Sequence, residues 1–111
     1  MSLSNHTLIL KNDGTLWGCG YNTQGQLGLG DTNWRAILTQ IITNTDNVKS
    51  VYCGESHTII LKNDGTLWGC GANNYGQLGL GDKTNRKFFT KITNDVKSAY
   101  CGEDYTLILK K

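Results

Sequence analysis

The chain has 111 residues and a formal charge of +2 from 11 basic and 9 acidic side chains, a balance that points to neither a polyanionic partner nor an acidic tail. Fourteen glycines, no proline and 38% hydrophobic residues, with Trp, Tyr, Thr, Ile and Val at short intervals, favour short strands and tight turns over helices. No apolar run approaches the roughly 18 residues of a membrane span, and residues 1–5 lack the charged and apolar regions of a signal peptide, so a cytoplasmic location is expected.

Residues 5–11 (NHTLILK) are predicted as a strand covered on both sides, because Leu8, Ile9 and Leu10 place apolar groups on both alternating faces. Asn12-Asp13-Gly14 then supplies a hairpin turn, since these residue types tolerate the positive φ it requires. The return strand is 15–20 (TLWGCG). It puts Leu16 on one face and Trp17 and Cys19 on the other, while Gly18 and Gly20 leave space for a neighbouring backbone or ring. Residues 21–33 are glycine-punctuated and read as an ordered loop pinned by Leu27 and Leu29. A third strand, 36–42 (AILTQII), and a polar link, 43–47, lead to a fourth at 48–54 (VKSVYCG). The series then restarts: 56–71 repeats the hairpin around Asn63-Asp64-Gly65, 87–93 (KFFTKIT) matches 36–42, 96–102 (VKSAYCG) matches 48–54, and 105–110 is a third copy of the first strand.

The repetition is close. Residues 6–31 and 57–82 differ only at Leu8/Ile59, Tyr21/Ala72, Thr23/Asn74 and Gln24/Tyr75. From His6 to His57 is 51 residues and from His57 to Tyr105 is 48, the difference being a three-residue insertion near Thr45. Four antiparallel strands per period of about 50 residues, with Trp and Gly at fixed places, is the pattern of a β-propeller blade. The expected organisation is a leader (1–5), a first repeat (6–54), a second (55–102) and a duplicated strand with the C-terminus (103–111). The fold class is thus all-β, a two-repeat fragment of a propeller. Its first blade lacks the VKSVYCG-type strand and a spare one stands at 96–102, so self-association is expected to complete it, as a head-to-tail ring or a two-fold dimer.

Reaction chemistry is harder to find. GCGYNTQGQLGLG has the glycines of a phosphate loop but neither a following helix nor Gly-Lys-Ser/Thr, so it reads as turns. Asp31 and Asp82, in Leu-Gly-Leu-Gly-Asp, lack the companions of a calcium nonapeptide and read as acceptors for loop amides. Cys19, Cys53, Cys70 and Cys101 occupy two repeat positions used twice, without a Cys-x-x-Cys pair, and are expected as reduced, buried thiols. His6 and His57 recur at one repeat position that Tyr105 fills in the third copy, which favours packing over catalysis. Gly14, Trp17, Gly25 and Gly30, with Gly65, Trp68, Gly76 and Gly81, are structural repeat positions by the same reasoning. No catalytic residue, cofactor or metal is expected. Lys83, Arg86, Lys87 and Lys91 in the second repeat, against Arg35 in the first, read as protection of a sheet edge, and no motif for reading bases is present.

Function is better sought where the repeats differ. Strand polarity places Tyr21, Thr23, Gln24, Trp34, Glu55, Asn74, Tyr75, Glu103 and Asp104 on one loop face, where exposed aromatics beside carboxylates suit protein binding. Tyr21 and Tyr75 could equally cap the core from their loops.

GQLGLGD, preceded by DGTLWGCGANN and VYCGESHTIIL, resembles the repeat of the regulator of chromosome condensation family. The matching residues are Gly54, His57, Leu61, Asp64, Gly65, Trp68, Gly69, Gly71, Asn73, Gly76, Gln77, Leu78, Gly79, Gly81 and Asp82, with counterparts across 6–31. Tyr105 in place of His, and the missing proline before the fourth strand, depart from it. The resemblance implies propellers, usually of seven blades, that bind proteins. It covers guanine nucleotide exchange factors for a small nuclear GTPase and bacterial relatives that inhibit enzymes. The reading is a non-enzymatic interaction module with an unidentified protein partner. Nucleotide exchange, glycan binding and an inactive repeat pair are the alternatives; exchange would need a longer insertion between strands than either repeat carries.

Overall fold

The computed structural model describes residues 5–41 and 47–111. The expected leader, Ile42 at the end of the third strand and the insertion near Thr45 lie outside or at the margin of those residues. The strands in chain order are β1 (His6–Leu10), β2 (Leu16–Gly20), β3 (Arg35–Ile41), β4 (Val48–Cys53), β5 (His57–Lys62), β6 (Leu67–Gly71), β7 (Arg86–Thr93), β8 (Val96–Cys101) and β9 (Thr106–Lys110). They form three antiparallel sheets, β1-β2-β3, β4-β5-β6-β7 and β8-β9. The middle sheet is a whole four-stranded blade. The first has the last three strands of one, and the third sheet has the first two.

Each blade is built on the same hairpin. In the first, Ile9 pairs with Trp17 and Leu10 with Leu16 across β1 and β2; Ile60 with Trp68 and Leu61 with Leu67 repeat this across β5 and β6. Asp13 Oδ1 accepts the amide and the hydroxyl of Thr15, and Trp17 Nε1 donates to that hydroxyl at 2.9 Å. Asp64, Thr66 and Trp68 repeat the same chain. Gly14 and Gly65 close the turns at φ of 86° and 85°, where a Cβ would be strained. Lys11 and Lys62 lay their ammonium groups over Trp17 and Trp68, 4.3 and 4.2 Å from the ring centroids.

The core consists of two layers, one on each side of the central blade. Leu16, Ile41, Val48 and Ile60 form one, with Leu8, Leu10, Val51, Trp68 and Phe89 packed against it. Ile59, Leu61, Leu67, Leu78, Val96 and Cys101 form the other. Strand alternation explains the split: Ile60 and Trp68 point toward the first sheet, Ile59 and Leu67 toward the third. Gly18 and Gly69 make room for aliphatic side chains rather than for a ring, since a Cβ on Gly69 would meet Ile59, Ile92 and Leu78. Gly20 accommodates the backbone of Asn5 and His6. The rings lie instead over Gly54 and Gly102, where a Cβ would overlap His57 and Tyr105.

Two expectations need correction. The first strand is not covered on both sides: Thr7 and Ile9 are exposed, because no sheet lies against that face of β1 among the described residues. The cysteines are free thiols, but only Cys70 and Cys101 are buried, Cys19 and Cys53 being half-buried beside the open or partly filled faces. Burial pushes the Cys53 and Cys101 thiols up to about 11 and about 12, so they remain protonated and inert as nucleophiles at neutral pH.

Candidate protein-binding face

The loops after β2 and β6 are frozen by one buried amide each. Asn22 Oδ1 accepts the Leu27 amide at 2.9 Å, while its Nδ2 donates to the carbonyls of Asp31 and Asn33 and to Asp31 Oδ1, each at 3.0 Å. Asn73 does the same for Leu78, Asp82 and Thr84. Gln26 and Gln77 accept the amides of Gln24 and Tyr75. Asp31 and Asp82 accept the amides of Asn33 and Thr84 and are clamped by Arg35 and Arg86, with 2.8 Å ion pairs. These bonds from Arg hold both carboxyls below the usual carboxylate range. Arg86 is therefore occupied within its own loop, as Arg35 is, which leaves Lys83, Lys87 and Lys91 as the exposed cations of that segment.

The two loop frames thus share the bonds of the buried Asn, the Gln and the Asp–Arg clamp, and they differ in the side chains they present. In the first, Tyr21 and Trp34 lie against each other with ring centroids 5.8 Å apart. In the second, the equivalent positions are Ala72, which is buried, and Asn85. Asn85 accepts the Asn73 amide at 2.8 Å and donates to Gln24 Oε1 of the neighbouring loop at 2.6 Å, linking the two frames. Tyr75 stands 70% exposed next to this link.

Gln24, Glu55, Ser56, Ala72, Asn74, Tyr75, Asn85 and Asp104 line an open concavity of about 380 Å³. A smaller hollow of about 170 Å³ lies on the other side of Tyr75, bounded by Gly76, Leu78, Asp104, Tyr105 and Ile108 among others. The turn before β5 adds acidity. Glu55 donates its amide to the Glu103 carbonyl at 3.2 Å, and the carboxyl of Glu103, then its charge, burial and Asp104, raise the Glu55 carboxyl above its ordinary value. The face therefore offers an aromatic knob between two hollows with three carboxylates at its rim.

Of the residues expected here, Gln24, Glu55, Asn74, Tyr75 and Asp104 come together, and Glu103 joins through Glu55. Tyr21 and Trp34 form a separate aromatic pair and do not line either hollow. Ser56, Ala72 and Asn85 were missed by the sequence reading. Asn85 was findable, because it stands where the first repeat has Trp34, just beyond the nearly identical 26-residue stretch. His6 and His57 lie between sheets, away from these hollows. Thr58 Oγ1 spends its hydrogen on the Gln26 carbonyl, so His6 Nε2 is the donor in its 2.8 Å bond to Thr58; His57 Nε2 lies 3.1 Å from Thr106 Oγ1. Among the described residues, no group of three His, Cys, Asp or Glu side chains is placed to hold a metal ion.

The regulator of chromosome condensation (RCC1) repeat matches residues 13–61 and 64–109, and a second profile of the same repeat matches 48–77. The chain belongs to the RCC1 repeat family. Similar relatives are the mouse X-linked retinitis pigmentosa GTPase regulator, 42% identical over 73% of this chain and 8% of its own length, and human protein RCC2, 38% identical over 76% and 16%. The ultraviolet-B receptor UVR8 of Arabidopsis thaliana is 38% identical over 80% of this chain and 20% of its own. The chain thus spans a fifth or less of these RCC1-family relatives. In fold it is similar to Saccharomyces cerevisiae Prp20p, a protein described with its binding properties to Gsp1p and histones, with a TM-score of 0.85 at 23% identity over 97% of this chain and 30% of that one. Human WBSCR16 superposes with a TM-score of 0.83 at 25% identity, over 96% and 28%. No helix among the described residues is long and apolar enough to cross a membrane.

Proposed function

We propose that this chain is a non-enzymatic protein-interaction module of the RCC1 type, and that the face around Tyr75 engages a basic segment of a partner protein. The observation that carries this reading is the contrast between two loop frames that share their framing hydrogen bonds and differ in their exposed side chains. Asn85 in place of Trp34 ties the two frames together, but packing gives no reason for Gln24 to become the exposed Tyr75, whereas recognition does. Tyr75 offers a large, stiff contact surface, and Glu55, Glu103 and Asp104 favour cationic groups beside it.

The histones and Gsp1p named for the yeast neighbour are the probes to use first. Titration of labelled core histones into the purified chain is expected to show salt-sensitive binding. Tyr75→Ala and the pair Glu55→Lys, Asp104→Lys should each weaken it about tenfold, the loss of roughly 1.4 kcal/mol expected for an interface anchor. Binding that survives both changes would refute this face. Release of labelled guanine nucleotide from a small GTPase, measured with and without the chain, is expected to be unchanged; acceleration would move the function to nucleotide exchange.

A further inference from the structure

β7 is the outermost strand of the whole four-stranded blade, paired with β6 alone among the described residues. Its ladder is irregular: the step from Gly69 to Gly71 in β6 is matched by the longer step from Thr90 back to Arg86 in β7. The surplus residues bow outward. Phe88 rests the tip of its ring on Gly30 and is otherwise 65% exposed, with Lys87 exposed beside it and Lys91 exposed further along. Lys83 stands exposed in the loop before the strand. β3 has the same irregularity, between Gly18 and Gly20, and is the outermost strand of its own sheet. There the matching residues are Thr32, Ala36, Ile37 and Gln40, with no cation among them. Edge protection would be needed equally in both strands, so the lysines of β7 call for a second reason.

We propose that the outer side of β7 is a docking surface for an acidic, extended segment of a partner protein. The ion pairs among the described residues are the two Arg–Asp clamps, and none of the three lysines takes part in one. Asp64 at the hairpin turn feels the charge of Lys91, yet its Oδ1 is taken by the amide and hydroxyl of Thr66. Lys87 and Lys91 are at most about 13 Å apart, four residues at roughly 3.3 Å each, so carboxylates at the same spacing in an extended peptide meet both. Phe88 lies between them and gives the intervening residue an apolar contact on a ring already held in place. A neutral segment would strip water from the lysines with no return, and a basic one would be repelled. The side chains that keep out a stray strand therefore select an acidic one.

A peptide fits this surface better than a nucleic acid does. Three cations release too few counterions to hold a phosphate backbone firmly, and the formal charge of the chain is only +2. Phe88 is a single ring, without the row of aromatics on which successive bases stack. The surface is also separate from the Tyr75 face, since none of Lys83, Lys87, Phe88 and Lys91 lines either hollow there. The two carry opposite charge, so one molecule can hold a basic segment beside Tyr75 and an acidic one along β7.

Fluorescence anisotropy of a labelled peptide of alternating Glu and Val, about ten residues long so that it overreaches the strand, tests this. Saturable, salt-sensitive binding is expected. Lys87→Gln combined with Lys91→Gln should weaken it at least about tenfold with an unchanged far-UV spectrum, and Phe88→Ser should weaken it about threefold. Lys49→Gln combined with Lys97→Gln removes the same charge from exposed lysines of β4 and β8 and should leave binding as it was. A parent chain that does not bind the peptide would overturn the proposal, as would binding that survives the changes in β7. Equal weakening by the Lys49 and Lys97 changes would also overturn it, because net charge would then suffice. So would an oligothymidylate that binds as tightly and depends on the same lysines, which would make β7 a nucleic-acid surface.

Discussion

β5 and its two copies, β1 and β9, are close to one sequence in three environments. Every residue of β5 is buried, Ile60 to 0% exposure, whereas its counterpart Ile9 in β1 is 38% exposed and most of β9 faces solvent. The hairpin bonds, the lysine over the tryptophan and the register are the same in β1 and β5. Burial is therefore a property of a strand's place in the array and not of its residues. Such stacks gain stability mostly from contacts between neighbouring repeats, and among the described residues the central blade alone has a neighbour on each side.

The contrast is most severely tested by removing the same side chain twice. Ile60→Ala should cost about 2–5 kcal/mol, the range for a filled core position, while Ile9→Ala should cost less than about 1 kcal/mol. Urea unfolding of the two variants at high dilution decides it, and equal costs would break the comparison.

Acid tests the joint between the blades. Burial, and then the nearby His57, lower the His6 pKa to about 4. The unfolded chain, near the ordinary 6.5, binds the proton more readily, so this joint's contribution is complete above pH 6.5 and is lost as the pH falls toward 4. The loss is about 3 kcal/mol, at roughly 1.4 kcal/mol per unit. Denaturant titration of the chain and of His6→Gln across that window should show a flatter profile in the variant. Protonation of Glu55 relieves its repulsion with Glu103 and acts in the opposite direction, while Asp31 and Asp82 lose their clamps only below their ordinary carboxylate range.

The loop hubs should behave unlike the strands. Asn22 and Asn73 are both fully buried with matching partners. Asn22→Ala and Asn73→Ala should therefore each cost about 2 kcal/mol by leaving an amide and carbonyls without a partner; a large difference between them would show that position in the array governs loops as well. Tyr75→Ala is the smallest change, within about 0.5 kcal/mol in unfolding as expected for an exposed side chain, and its effect should appear in partner binding instead.

Strand alternation, the Asn-Asp-Gly turns and the near-identity of the two stretches made the blade readable, because each depends on neighbours within a few residues. The RCC1-type repeat was legible for the same reason. The loop frames were only half readable: Leu27 and the amide-accepting Asp31 could be anticipated, but the part played by Asn22 depends on partners up to 11 residues away that a local pattern does not reveal. In the sequence the candidate face reads as one set of aromatics with flanking polar and acidic residues. Folding divides it, pairing Tyr21 with Trp34 and bringing Tyr75 to Gln24, Asn85 and Asp104 from three separate segments.

From its residues alone the protein is an all-β array of a repeated blade hairpin, since period-2 patterning and turn chemistry are local and appear in every copy. Which copies are buried, which edges remain open and which loop residues share a hollow were decided only by tertiary structure. Those properties depend on what lies across the next sheet, and identical residues such as Ile9 and Ile108 beside the single central Ile60 carry no record of it.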